Sequence, residues 1–190
     1  HDLTFSAPKS ISVMGLLYGD ARLLKAHQDS VKEAMAEFAR LVPVMRIQDP
    51  ATKRPMRVKT DQIIYAMEMH RVSRNLDPQL HTHCLTMNMA IDDHGKLRAI
   101  NIDDLYDQKL NLYLGKLYQA SLNKRTRNLG YDTYAVGNGQ FEITGIPKAF
   151  LESFSTRRLE IQNKIFALKA SKAQTIDEIA KFTRQPKKYV

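Results

Sequence analysis

The chain has little of what stabilises secreted proteins or anchors membrane proteins. Cys84 is the single cysteine among its 190 residues, so no disulfide framework can form within it. No apolar run approaches the roughly 20 residues that cross a bilayer, and no signal-peptide pattern opens the sequence. We therefore expect a protein of the reducing cytoplasm that has no membrane segment.

Acidic residues are scarce relative to basic ones. Lysine and arginine number 29 against 20 aspartates and glutamates, which gives a net charge of +9 and a pI near 9.6. This balance favours a polyanionic partner such as nucleic acid over an acidic small molecule. With 43% hydrophobic residues the chain can bury one sizeable core, so we expect a single domain over residues 1–190. Because no initiating methionine is present, we also expect a fragment of a longer protein.

The pattern of apolar residues predicts an α+β fold with a mostly antiparallel central β-sheet flanked by helices. Apolar and polar residues alternate from Asp2 to Ala7, and Pro8 would end that strand before a turn at Lys9-Ser10. Further strands are predicted over 61–70, 80–90 and 96–102, with a hairpin over 131–144 and an irregular hairpin or loop over 48–59. Helices are predicted from Gly19-Asp20 to about Leu41, from Asp103 or Asp104 to about Asn128, and after Pro147 and Thr175.

Three of the six histidines carry the strongest chemical signal. His81 and His83 alternate on one predicted strand, so their side chains share a face and stand about 6.6 Å apart along the backbone. If the preceding strand pairs with theirs in the antiparallel sense, His70 at its end faces both. Three neutral imidazoles would bind a divalent metal ion and leave positions open for water or substrate, as a catalytic site requires. The alternative is that His-x-His occurs here by chance.

Other candidate residues receive simpler interpretations. The strand alternation puts Asp2 on the more polar face and points Cys84 away from the histidines. His27 is isolated on a predicted helix and is interpreted as a packing residue. His94 lies in the predicted turn Asp92-Asp93-His94-Gly95 and is expected to be exposed. The stretch from Arg71 to Leu80 is predicted to be a long loop beside the histidines, where loops often serve a site.

Two segments of this sequence carry a resemblance to a known family. The two segments are Asp2-Leu3-Thr4-Phe5-Ser6-Ala7-Pro8-Lys9-Ser10 and Pro78-Gln79-Leu80-His81-Thr82-His83, the latter following His70. They resemble the second and third motifs of the conjugative relaxases of the TraI/TrwC type, the MobF family of the HUH endonucleases. The helix that carries Tyr118, the Gly130-Tyr131 turn and the stretch from Ile146 to Ser155 are also similar to relaxases.

The resemblance implies a bacterial, plasmid-encoded enzyme that nicks and rejoins one DNA strand at the origin of transfer through a 5′-phosphotyrosyl intermediate. It implies that His70, His81 and His83 bind one divalent ion (Mg²⁺, Mn²⁺ or Zn²⁺) and that Asp2 orients a histidine or helps to activate the tyrosine. Single-stranded DNA is the implied partner, with other relaxosome and conjugative-transfer proteins as further candidates. Arg71 stands where relatives often have an acidic residue.

The nucleophile is not assigned. The family's catalytic tyrosines precede the Asp-Leu-Thr-Phe-Ser motif, and none of the eight tyrosines of this chain lies in a comparable motif. We therefore expect the nucleophilic tyrosine in a segment upstream of His1. Tyr65 alternates away from the His70 face, and Tyr118 lies on a helix, where core packing or base stacking is expected instead of attack.

Five residues are candidates for DNA contacts, each weighed against an ordinary solvated side chain. Arg71, Arg74 and Lys9 are expected to contact phosphates near the cut. Asn111 and Gln119 fall where relatives contact DNA. Two other functions stay open at this point: a rolling-circle replication initiator of the HUH class, and a non-catalytic basic module that binds single-stranded DNA. Metal binding separates the non-catalytic module from the two enzymes.

Overall fold

A four-stranded antiparallel sheet forms the centre of the fold. The computed structural model describes residues 1–41, 44–49, 51–100, 108–156, 160, 161 and 163. The described strands are β1 Asp2–Ser6, β2 Val44–Gln48, β3 Pro55–Lys59, β4 Ile63–Val72, β5 Pro78–Ile91, β6 Leu97–Ala99, β7 Thr133–Gly137 and β8 Gln140–Ile143. The described helices are α1 Lys9–Leu16, α2 Ala21–Leu41, α3 Gln108–Asn128 and α4 Lys148–Ser153. The predicted α+β class with a mostly antiparallel sheet is confirmed.

The long strand β5 organises this sheet. It pairs antiparallel with β1 through Asp2↔Leu85 to Ser6↔His81, and with β4 through pairs that include Glu68↔His83 and His70↔His81. Strand β6 pairs with the far end of β5. Because alternate residues of a strand point to opposite faces, one face of β5 presents His81 and His83 while the other presents Leu80, Thr82 and Cys84.

The hydrophobic core lies on the second face, under helices α2 and α3. Leu3 and Phe5 of β1 and Leu80 and Cys84 of β5 are buried against it. The helices contribute a stripe at helical spacing, as predicted for an amphipathic helix against a sheet. Its fully buried members are Leu23, Val31, Met35 and Phe38 of α2 and Leu114, Tyr118 and Leu122 of α3.

The turn predicted at Lys9-Ser10 is wrong, since helix α1 begins there. Pro8 is the residue before the first helical turn, and its fixed φ suits that position. Glu142 of β8 then caps the helix, because its Oε1 and Oε2 accept hydrogen bonds from the backbone N–H groups of Lys9 and Ser10 at 3.3 and 2.8 Å. The sequence pattern missed α1 because the cap comes from a residue more than 130 positions away.

Several boundaries also differ from the predictions. Strand β4 continues through Val72 and β5 begins at Pro78, so the predicted loop from Arg71 to Leu80 is reduced to residues 73–77. The described residues within 48–59 belong to the β2–β3 hairpin, which is one of the two predicted alternatives. The predicted helix start at Asp103 or Asp104 and the helix after Thr175 lie outside the described residues. Within the described residues, no helix is both long enough and apolar enough to cross a membrane.

Candidate metal centre

Three imidazoles meet on the open face of the sheet. His70 and His81 are directly opposite each other on β4 and β5, and His83 is two residues further along β5. Their ring centroids are 5.0 to 5.2 Å apart. One nitrogen from each ring can be chosen so that all three atoms lie within 4.8 Å of one another. The predicted gathering of the three histidines is thus what the β4–β5 register produces.

Strand β1 adds a carboxylate to this cluster. The Oδ2 atom of Asp2 lies 2.8 Å from Nδ1 of His83. Thr4, which is paired with His83 in the sheet, has its hydroxyl oxygen 3.1 Å from the same nitrogen and donates to Asp2 Oδ1 at 3.4 Å. Asp2 therefore lies on the polar face, as predicted, and contacts one of the three histidines.

These contacts determine which nitrogen of each β5 histidine remains available. A carboxylate or carbonyl oxygen accepts hydrogen bonds, so Nδ1 of His83 donates to Asp2, and Nδ1 of His81 donates to the Gln79 carbonyl at 3.0 Å. Both rings then keep a lone pair on Nε2. Burial also lowers the pKa of His81, which favours the neutral ring that a metal needs.

The donor set fits a divalent ion. Neutral imidazole is a good ligand for zinc, manganese and other divalent metals, and the carboxylate on His83 is the kind of outer contact that orients a metal-bound histidine. Three protein ligands leave coordination positions for water or a phosphate oxygen. The arrangement can therefore hold an ion and still admit a substrate.

A buried polar chain lies beneath the cluster on the opposite face of β5. His27 is completely buried, with Nδ1 2.7 Å from the Tyr118 hydroxyl and Nε2 2.8 Å from the hydroxyl of Thr82, the residue between His81 and His83. Burial lowers the pKa of His27 to about 4 and raises the pKa of Tyr118 well above its usual range. The interpretation of His27 as a packing residue agrees with these contacts.

Cys84 and His94 lie where the sequence placed them. Cys84 is fully buried on the core face, and burial raises the pKa of its thiol to about 12. His94 is exposed in the turn that joins β5 to β6. Neither side chain belongs to the cluster.

Lys9 has a structural environment that the sequence did not reveal. Its ammonium donates to the carbonyl oxygens of Pro78 and Phe154 at 3.0 and 2.8 Å, so it joins the start of β5 to the end of α4. Burial lowers its pKa, against the opposing influence of Asp77 and Glu142. A phosphate contact from Lys9 stays a prediction, and it would have to compete with these two carbonyls.

The two arginines near His70 differ in position. Arg74 is exposed in the turn between β4 and β5. Arg71 alternates away from His70 and lines a cavity of about 430 Å³ with residues of α1 and of the turn, including Leu16 and Leu76. Arg71 is exposed as well, and a phosphate contact by either arginine stays a prediction.

The two candidate DNA-contacting residues on α3, Asn111 and Gln119, differ in their environments. Asn111 is exposed near the start of the helix. Gln119 donates from Nε2 to the Ser6 carbonyl of β1 at 3.1 Å, while its buried Oε1 has no hydrogen-bond partner. DNA contact by either side chain stays a prediction.

Three of the described tyrosine hydroxyls are engaged away from the cluster. Those of Tyr113 and Tyr131 donate to Glu37 and Asp20, and that of Tyr118 contacts His27. Tyr65 packs against the core on the face opposite His70, as predicted. Tyr106 and Tyr189 lie outside the described residues.

Two residues of this face were missed in the sequence. Thr4 lies beside His83, and the Oε1 atom of Glu68 is 3.3 Å from Nε2 of His70. Both follow the alternation that identified their neighbours, since Thr4 is two residues from Asp2 and Glu68 is two residues from His70. The strand pairing was needed to show that these positions converge.

Comparison with known proteins identifies the family of this chain. The family model described as TrwC relaxase matches residues 1–190. The chain belongs to the TrwC relaxase family. The Multifunctional conjugation protein TraI of Escherichia coli is 33% identical over 198 residues, as is the TraI protein of strain K12. These alignments cover 100% of this chain but only 11% of each TraI protein, so the chain spans about a tenth of the curated relatives it matches.

Solved structures of the conjugative relaxase TrwC have the same fold as this TrwC-family chain. The metal-free complex with oriT DNA is 30% identical, with a TM-score of 0.84 over 100% of this chain and 67% of that one. The metal-bound complex has a TM-score of 0.83, and the match covers 100% of this chain and 65% of that one. A third structure, with a TM-score of 0.83 and 67% covered, holds a 27-mer DNA with the recognition hairpin and the cleavage site.

Proposed function

We propose that this TrwC-family domain takes part in cutting and rejoining one DNA strand at an origin of transfer, and that His70, His81 and His83 hold the divalent ion for that reaction. The observation that carries the proposal is the convergence of three imidazoles, with Asp2 on His83, on an open sheet face. The related TrwC relaxase has been seen with oriT DNA in metal-free and metal-bound forms, which supports both the substrate and the ion.

The proposed chemistry is a transesterification. A tyrosine hydroxyl loses its proton as its oxygen bonds to the phosphorus, the bond from phosphorus to the 3′ oxygen breaks, and the leaving 3′ oxygen takes up a proton. The 5′-phosphotyrosyl bond conserves the energy needed to rejoin the strand. When bound, a divalent ion supplies positive charge that stabilises the non-bridging phosphate oxygens. Mg²⁺, Mn²⁺ and Zn²⁺ all remain candidates for this ion.

The residues of the chain would prepare the site for that step. His70, His81 and His83 would provide neutral nitrogen ligands, and Asp2 would keep His83 in the tautomer whose Nε2 lone pair is free. Thr4 supports Asp2 by donating to its other oxygen. The expectation that the nucleophilic tyrosine precedes His1 stays a prediction.

Metal binding is tested by calorimetric titration with Mn²⁺. We expect one ion per chain in the unmodified protein and a loss of binding in the His81→Ala, His83→Ala double variant. The matched control is His94→Ala, which removes an exposed imidazole from the β5–β6 turn and should bind Mn²⁺ as before. Equal binding by the double variant and the unmodified protein would refute the metal assignment.

Single-stranded DNA binding is the second part of the proposal. The excess of basic residues predicts an affinity that falls as the salt concentration rises, because releasing counterions from the DNA is then less favourable. The log-log slope should be about −0.7 for each phosphate contacted. Replacing exposed Arg74 by Gln should make that slope shallower by about 0.7. Lys25→Gln is the control, because Lys25 pairs with Asp29 on helix α2. Unchanged slopes for both variants would show that Arg74 does not contact a phosphate.

A further inference from the structure

Glu68 is the acidic side chain of β4 that shares a face with His70. It precedes His70 by two residues, so both side chains point to the same side of the sheet, and it is directly opposite His83 on β5. Its Oε1 atom lies 3.3 Å from Nε2 of His70. The sheet register alone thus brings a second carboxylate to the three imidazoles.

The two carboxylates of this face differ in what they can do. Asp2 is already committed to Nδ1 of His83, the nitrogen that leaves Nε2 free for an ion. The side chain of Glu68 is 67% exposed and ends beside a nitrogen of His70. Glu68 is outside the set of donor atoms that lie within 4.8 Å of one another, so ligation requires rotation about its side-chain bonds beyond Cβ, which the exposure of the side chain permits.

Charge gives a reason for a carboxylate at this position. Three neutral imidazoles leave both charges of a divalent ion uncompensated, and imidazole by itself suits zinc at least as well as manganese or magnesium. An anionic oxygen ligand favours the harder ions, Mn²⁺ and Mg²⁺, which prefer carboxylate and water. An exposed ion pair with a protonated His70 would by itself contribute little.

We propose that Glu68 is a fourth ligand, through its carboxylate, of the ion held by His70, His81 and His83. This inference rests on the proposed function of the three histidines. Glu68 then raises the affinity for Mn²⁺ more than the affinity for Zn²⁺, and it occupies one of the positions that three histidines alone would leave to water.

The test compares Glu68→Gln with the unmodified protein by calorimetric titration with Mn²⁺ and, separately, with Zn²⁺. Glutamine keeps the shape but loses the charge and most of the ligand strength. We expect Mn²⁺ affinity to fall about tenfold or more, in the range seen when a residue supporting a metal site is removed, and Zn²⁺ affinity to fall less. Asp93→Asn, in the exposed β5–β6 turn, removes the same charge away from the histidines and should change Mn²⁺ affinity less than twofold.

A second measurement separates a ligand from a residue that only supports His70. The relaxation rate of water protons around bound Mn²⁺ reports how many waters the ion carries. If Glu68 is a ligand, a water replaces it in Glu68→Gln and the number of bound waters rises by about one. Urea unfolding with chelator present checks that both proteins fold equally well without metal.

Each outcome has a distinct meaning. Equal Mn²⁺ affinity in the unmodified protein and Glu68→Gln, or an equal loss in Asp93→Asn, would overturn the role of Glu68 and leave the three-histidine site intact. A weaker affinity with an unchanged number of waters would overturn ligation in favour of a contact that positions His70. Absence of Mn²⁺ binding in the unmodified protein would overturn the proposed metal site and this inference together.

Discussion

The buried imidazole of His27 makes the stability of this fold depend on pH. The ring is completely buried between α2, α3 and β5, and burial lowers its pKa from 6.5 to about 4. As the pH falls, the unfolded chain takes up a proton near pH 6.5, whereas the folded chain resists until about pH 4. Stability attributable to this histidine is therefore complete above pH 6.5 and is lost as the pH falls through that window.

The size of the effect follows from the pKa difference. Each unit of pKa difference corresponds to about 1.4 kcal/mol. At very low pH, the free energy of unfolding lost through this histidine therefore reaches about 3.4 kcal/mol. At pH 5.0 the contribution of His27 should make the free energy of unfolding about 2 kcal/mol lower than at pH 7.5, where proton binding to His27 contributes close to zero. This is a large part of the stability of an ordinary domain.

His27→Gln isolates this contribution. Glutamine can hydrogen-bond with Tyr118 and Thr82 but does not titrate, and the remaining histidines are present in both proteins. The free energy of unfolding is measured in urea between pH 7.5 and 5.0, with chelator present so that metal binding does not interfere. We expect the difference between the unmodified protein and the variant to shrink by about 2 kcal/mol over that interval.

Parallel pH curves for the two proteins would refute this reasoning. They would mean that the hydroxyl oxygens of Tyr118 and Thr82 both accept hydrogen bonds from a charged ring strongly enough to offset its burial. Proton NMR of the His27 ring would then show protonation near pH 6.5 in the folded state.

Three shorter predictions concern other residues. Glu142→Gln should lower the free energy of unfolding by about 1 to 2 kcal/mol in urea, because the charged cap on Lys9 and Ser10 is weakened; a change of only a few tenths would contradict the capping role. Asp2→Ala, measured in a protein that contains this domain together with the nucleophilic tyrosine, should slow nicking far more than it weakens DNA binding, and equal losses would indicate a structural role. Cys84 should react with a disulfide reagent at pH 8 only after denaturant is added, because it is buried and its pKa is raised to about 12. Rapid reaction of the folded protein would contradict the burial of this thiol.

Much of the metal centre could be predicted from the sequence because strand alternation is a local property. The spacing of His81 and His83 put both on one face, the same rule pointed Cys84 and Tyr65 away, and the polarity of Asp2 placed it on the open side. Helix α2 was recognised for a similar reason, since its apolar stripe repeats at helical spacing and ends at Leu41. These features depend on neighbours only a few residues apart.

Other features depend on which strands pair and in what register, and only the tertiary structure decided them. Glu68 comes near His83 because β4 and β5 pair at that position, and Thr4 comes near it because β1 joins the other edge of β5. Helix α1 escaped recognition because its cap is supplied by Glu142, and Lys9 is held by the carbonyls of Pro78 and Phe154. A hydrogen bond between distant residues produces no periodic pattern in the sequence. Its partners can therefore be identified only from the tertiary structure, in which folding brings them together.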